Sequence, residues 1–448
     1  MASEENKGDK KGKSPLPMCK YGEKCYRRNS QHLQQYRHPK RKHDEDDEAP
    51  EKKPKRETKK GNIKDFFKGK TGKGDDIQAQ SEDENKNEPP EEDKSSPSNS
   101  EDKTSLEVEA RLSEDKTVDA EDENMEDAPV SPADLKENLK QKFLVEMPPD
   151  FFQFWDFCKS IKPDKPSEAL MESLGFTLVG PFDIVCRRHK NRSPNKKGRS
   201  PNYLRHWRYQ YDPPEFLTVI KGDDKTQFHL GYYRDDPSEM PVFVAANAAA
   251  VNCTISPRGD NLFAAVKYYM DEQLKSKSNT KEKKESLQSL QKQLCEWAKK
   301  ENLSLEGKTK GMKERDKKVV CKTFHGAGIV VPVDDNDVGY RPVPETPGDL
   351  KKILKKIKDS KDEDERNKNF DPLQELITLV QFANDECDYG EGLELGLDLF
   401  SFGGECFYRP ILHLLPLAYQ LLGRPQYAEI ITAHLKDRNS SADLSEID

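Results

Sequence analysis

The sequence predicts an α+β fold: a single large C-terminal domain with central strands and flanking helices, preceded by a long linker and a small N-terminal island. Two observations lead there. Nearly every Trp, Phe and Tyr lies at or after Phe143, whereas residues 41–130 hold almost no aromatic or β-branched clusters. Within the aromatic part, strand-like runs group in the middle and helical periodicities lie to either side, so the elements segregate instead of alternating.

Composition sets the limits. Hydrophobic residues make up 33% of the 448 and charged residues 35%, an apolar share below the globular range, so part of the chain does not pack. The part that does, roughly 300 residues, is long enough to bury a substantial core. Net charge is −8, with basic residues ahead of position 72 and acidic ones from 74 to 127. Blocks of this kind read as disordered interaction segments that cannot repay their ordering entropy. No apolar run reaches membrane-span length and the first residues, MASEENKGDKKGK, lack a signal-peptide core, which predicts a soluble intracellular protein. Nine Cys in such a chain read as thiols; seven, from Cys158 to Cys406, lack metal-like spacing and are expected as small buried hydrophobes.

In chain order, the large domain opens at Ser131-Pro132-Ala133-Asp134, a helix start, with Leu135, Leu139 and Phe143 at helical spacing. A dense aromatic segment, Phe152, Phe154, Trp155 and Phe157, follows. Strands are expected over 176–179, 218–220, 227–233 and 242–245, and one more over 329–333. Helices are expected over 261–274 and 283–300. Another spans 373–384, with Asp371 as N-cap and Pro372 in its first turn, and a last one covers 411–435, broken near Gly423-Arg424-Pro425. Residues 439–448 read as a disordered tail.

The N-terminal island, residues 15–40, carries Cys19, Cys25, His32 and His38 as C-x5-C-x6-H-x5-H. Two thiolates and two imidazoles supply a closed tetrahedral zinc site, and an island this small needs the metal in place of a core. The six-residue gap leaves no room for a DNA-recognition helix. The string MCKYGEKCYRRNSQHLQQYRHPK closely resembles the poly(ADP-ribose)-binding zinc finger. That resemblance implies that Tyr21, Tyr26 and Arg27 recognise adenine and phosphates of ADP-ribose, as stacking faces and a phosphate-matching fork would. A purely structural finger, with the two tyrosines as its small core, is the plainer alternative.

The linker, 41–130, begins with Lys40-Arg41-Lys42 and Lys52-Lys53-Pro54-Lys55-Arg56, which read as nuclear-import or phosphate-contacting clusters. Ile63, Phe66 and Phe67 have the spacing of a sliding-clamp-binding box with Lys60 where Gln is usual; a generic short linear motif is the other reading. As a flexible tether the linker reaches about 50 Å.

Two features of the large domain carry chemistry. Asp385, Glu386 and Asp388 follow the end of the expected 373–384 helix, where the macrodipole opposes negative charge. Dipole and mutual repulsion push at least one carboxyl pKa upward, toward general-base range; a surface acidic cluster for a basic partner is equally compatible. In Asp337-Val338-Gly339-Tyr340-Arg341-Pro342, an aromatic beside a cation forms an interface anchor pair, unless Tyr340 packs inward and Arg341 merely solvates.

Those stretches, with His206-Trp207-Arg208-Tyr209, Tyr211-Asp212-Pro213-Pro214-Glu215-Phe216 and Lys322-Thr323-Phe324-His325-Gly326-Ala327-Gly328, resemble the histone PARylation factor family over about residues 135–438, within a domain expected over 131–438. The resemblance implies a nuclear chromatin factor without transferase activity of its own. Such a protein binds the catalytic domain of DNA-damage-activated poly(ADP-ribose) polymerases and completes a composite site that modifies serine on histones. It implies Glu386 as the base for the acceptor serine, Asp385 as a polymerase contact, and Tyr340 and Arg341 at the shared interface, with NAD held by the polymerase. The finger and tether stand outside that family pattern. Competing readings are a polymer-binding repair scaffold with no catalytic share, and an independent ADP-ribose hydrolase using Asp385 and Glu386.

Overall fold

The computed structural model describes Arg37 and residues 132–188, 200–277 and 279–447. The four zinc-ligand candidates, Tyr21, Tyr26, Arg27, the import clusters and the clamp-like motif lie outside the described residues.

Helices α1 (Leu135–Phe143), α2 (Pro149–Ile161) and the short α3 (Met171–Leu174) lead into a five-stranded sheet. Its strands are β1 (Thr177–Leu178), β2 (Phe216–Lys221), β3 (Phe228–Tyr233), β4 (Phe243–Ala248) and β5 (Ser256–Gly259), with α4 (Pro181–Val185) after β1. Every strand pairs antiparallel with the next, a meander in which Leu217 faces Tyr232 and Gly231 faces Ala245. Eight helices follow: α5 (Leu262–Lys275), α6 (Lys281–Lys300), α7 (Lys310–Lys318), α8 (Pro347–Lys358), α9 (Glu363–Asp385), α10 (Tyr389–Phe402), α11 (Tyr408–Leu421) and α12 (Pro425–Lys436). Strands between two sets of helices make the fold α+β, as expected.

Caps explain several starts. Asp134 accepts from Glu137 N, Asn261 from Ala264 N at the head of α5, and Asp362 from Glu365 N at the head of α9. Two cores result. The aromatic segment of α2 packs with α5, α6 and one sheet face, and Phe151 stacks on Phe182 with centroids 4.1 Å apart. The second core joins α8 to α12 through Leu354, Leu373, Leu397, Ile411 and Leu415. Buried polar bonds link the two: Tyr419 Oη donates to Glu215 (2.8 Å) and Tyr427 Oη to the Arg234 carbonyl (3.2 Å).

The structure departs from expectation in five places. Helix α9 does not start at Asp371 but at Glu363, and Pro372 sits inside it, so the capping signal that counts is Asp362. The 329–333 run makes only a single bridge, Cys321 to Ile329, because Val331 packs into the second core instead of pairing. Strand β5 and helices α2, α3, α4, α7, α8 and α10 had not been expected; β5 is Ser-Pro-Arg-Gly, with no strand periodicity to read. Of the cysteines expected in the core, Cys158 is buried, Cys186, Cys253, Cys295, Cys321 and Cys406 are half-buried, and Cys387 is exposed. The tail is ordered onto the domain: Leu444 and Ile447 are buried, Trp207 N donates to the Leu444 carbonyl, and Glu446 N donates to His206 Nδ1 at 3.0 Å.

Candidate functional site

Helix α9 ends in a Schellman turn. Cys387 N donates to the Asn384 carbonyl (3.0 Å) and Asp388 N to the Ala383 carbonyl (2.8 Å), with Cys387 in the left-handed region at φ 64°. A non-glycine residue there costs on the order of 1 kcal/mol. The turn leaves Asp385 exposed, puts Glu386 at the C-cap, and carries the chain directly into α10. A helix C-terminus and a helix N-terminus therefore meet within four residues.

The loop after residue 331 closes over that junction. Gly339, at φ 132°, lies where a Cβ would fall 2.1 Å from the Pro332 carbonyl oxygen, so no side chain fits. Its N–H donates to Asp388 Oδ1 (3.1 Å), and its carbonyl accepts from Gly390 N (2.9 Å). So fastened, the loop points Arg341 into the carboxylates. Arg341 Nη1 donates to Glu386 Oε2 at 3.1 Å and Nε to Glu391 Oε2 at 3.0 Å, while Asp388 Oδ2 lies 3.6 Å from Nε. The Arg341 side chain is 15% exposed and that of Glu386 11%, enough for Glu386 to be reached from one side. Tyr340 turns inward, packs against the second core and donates its hydroxyl to Glu394 (2.9 Å). The pair that sequence treats as one anchor thus divides: the aromatic supports the loop and the cation organises the acids.

Glu386, Asp388, Tyr340 and Arg341, which the family resemblance groups with Asp385, lie in one neighbourhood here. Sequence reasoning missed Glu391 and Glu394. The signal was present: Glu391, Glu394 and Asp398 recur at helical spacing in a run otherwise of Gly and Leu, one acidic stripe on an apolar helix. All three are put to structural use. Glu394 also accepts from Val343 N (3.2 Å) and Asp398 from Phe324 N (2.7 Å), so α10 holds both loops that cross it. Burial raises Glu391 to about 7 against the opposing pull of Arg341, raises Glu394, and raises Asp398 to about 7. The cause is desolvation of side chains set inside the packed helices.

The other distinctive blocks build scaffold. Asp212 accepts from Tyr209 N, Thr218 Oγ1 and His229 Nε2, and Tyr209 stacks on His229 at 3.9 Å. Buried Arg208 donates to the carbonyls of Leu204, Pro213 and Phe216. Among the described residues no group of three His, Cys, Asp or Glu could hold a metal ion, and no helix is long and apolar enough to cross a membrane.

Residues 134–438 match the family model described as histone PARylation factor 1, and residues 16–41 match the PBZ domain model. The chain is 50% identical over 325 residues to histone PARylation factor 1 of Mus musculus, covering 72% of this chain and 92% of that protein. It is 50% identical over 306 residues to the Danio rerio protein of the same name, covering 68% and 86%. To the putative histone PARylation factor 1-like protein of Homo sapiens it is 48% identical over 324 residues, covering 72% and 92%.

Proposed function

We propose, from the premise that the chain belongs to the histone PARylation factor 1 family and carries a PBZ domain, a polymer-reading accessory factor. It directs DNA-damage-activated poly(ADP-ribose) polymerases toward serine on histones and other chromatin proteins. The PBZ-type finger implies a structural zinc, for which Cys19, Cys25, His32 and His38 are the ligands in this reading, with Tyr21, Tyr26 and Arg27 facing the polymer. Kinship to the family and the basic clusters support residence in the nucleus. The domain limits are those of the sequence reading, except that the C-terminal tail belongs to the folded part. A sliding-clamp contact through Ile63, Phe66 and Phe67 has no support beyond its spacing.

The observation that carries the catalytic part is the clamp on Glu386. A serine hydroxyl is a weak nucleophile at neutral pH and needs a positioned base. Glu386, partly exposed and bonded to the Arg341 guanidinium, is a carboxylate aimed by a charge-assisted bond. When the polymerase brings NAD and the peptide to it, Glu386 takes the serine Oγ proton as Oγ forms its bond to the ribose anomeric carbon and the bond to nicotinamide breaks. Asp385, exposed beside it, contacts the polymerase; Arg341 lies at the shared edge and Tyr340 supports its loop from within. Supplying the base in trans makes serine the acceptor without making this chain an enzyme alone.

The test combines the full chain, DNA, NAD, polymerase and a histone-tail peptide, and maps the modified residue. Glu386→Ala is expected to lower seryl transfer by about 10²–10⁴-fold with polymerase binding retained. Undiminished seryl transfer by that variant leaves only a polymer-binding scaffold.

A further inference from the structure

The chemistry above uses Glu386 and Arg341 and leaves the acid behind them without a role. Glu391 sits in the first turn of α10 with its side chain 2% exposed, among Leu393 and the leucines that follow. A buried carboxylate is costly, and Leu or Gln at this position would be cheaper for the helix alone. The arrangement of its one strong partner accounts for it. The guanidinium is planar and rigid, so fixing Nε on Glu391 at 3.0 Å sets the direction of Nη1, which meets Glu386 at 3.1 Å. Without that fixed edge Arg341 would still be long and mobile, and its 3.1 Å bond to Glu386, on the last residue before a left-handed turn, would lose its direction.

We propose that Glu391 is a positioning residue for seryl transfer: it holds Arg341 in the one orientation that aims the Glu386 carboxylate. The proposal rests on the reading of Glu386 as the base. Charged and titratable groups facing Glu391 are Arg341 from the loop, with Asp388 and Glu394 from the start and second turn of α10; Tyr340 and Cys321 bear on Glu394 behind it. Removing the Glu391 charge leaves Arg341 less neutralised toward Glu386. Burial raises Glu391 to about 7, so its charge and its hold on Arg341 are present above that pH and lost below it.

Glu391→Gln in the full chain keeps shape and removes charge. With DNA-activated polymerase, NAD and a histone-tail peptide, the saturated seryl-transfer rate is expected to fall by about tenfold or more, as a small misalignment does. The Kd for polymerase should stay within about threefold, and the rate should lose the inflection near pH 7 that Glu391 gives the wild type. Should the Gln variant melt early, Glu391→Asp, which keeps a titrating charge at shorter reach, must retain a pH inflection at reduced rate. A rate within about twofold of wild type overturns the proposal, and so does a parallel loss of rate and affinity with the inflection near pH 7 intact, which is the signature of a plain structural anchor. Glu386→Gln, run alongside, separates the two claims. If it keeps seryl transfer, the base assignment fails and takes this one with it; if only Glu391→Gln is silent, the positioning role alone is lost.

Discussion

Gly390→Ala should separate stability from activity at this site. Gly390 is the second residue of α10, and its N–H donates to the Gly339 carbonyl at 2.9 Å. A Cβ there would lie 2.9 Å from Tyr340 Cδ2, 3.0 Å from the Gly339 oxygen and 3.0 Å from Val331 Cγ2. One of these neighbours is backbone and another a packed ring, so the loop bearing Arg341 must move by a few tenths of an ångström. Overpacking of this kind costs about 1–3 kcal/mol, while Ala in place of Gly returns less than about 1 kcal/mol near a helix start. The net loss is about 1–2 kcal/mol, a drop of several degrees in Tm at this size. Activity should fall further than folding, because the displaced loop separates Arg341 from Glu386. Gly396→Ala is the comparison: its Cβ would meet Leu415 at 2.5 Å, in the α10–α11 contact. Calorimetry and seryl-transfer assays well below both melting points should find Gly396→Ala destabilised yet active and Gly390→Ala folded yet impaired. Equal activity in the two variants, corrected for folded fraction, would refute the coupling of loop position to catalysis.

The buried acid Asp398 makes stability depend on pH. Its pKa is raised from 3.8 to about 7 by burial, so the folded state holds a proton that the unfolded state has released, and stability falls as pH climbs through that window. Asp398→Asn, which can still accept from Phe324 N, should therefore gain on wild type by a few kcal/mol between pH 4 and 7, as urea unfolding at several pH values would show; a constant difference across pH contradicts the burial argument. Deleting residues 440–448 removes buried Leu444 and Ile447 and should cost roughly 3–6 kcal/mol, measured by thermal unfolding; an unchanged Tm would mean the tail does not pack.

By itself the sequence determined whatever is local or periodic. The charge blocks, the aromatic partition, the Cys-His spacing and the helical repeats gave the architecture, the finger and the helix end bearing Asp385 and Glu386. Start signals were less secure, since Asp371-Pro372 and Asp362 are both plausible caps and only packing chooses Asp362. What the tertiary structure alone decided is contact between segments about fifty residues apart. Arg341 meets Glu386 and Glu391 because Gly339 can lie against Pro332 and Gly390 against Tyr340, two close approaches that no one-dimensional pattern encodes. Burial is likewise a property of the packed molecule: desolvation raises Glu391 and Asp398 on α10 because the helices around them exclude water, which no local pattern states.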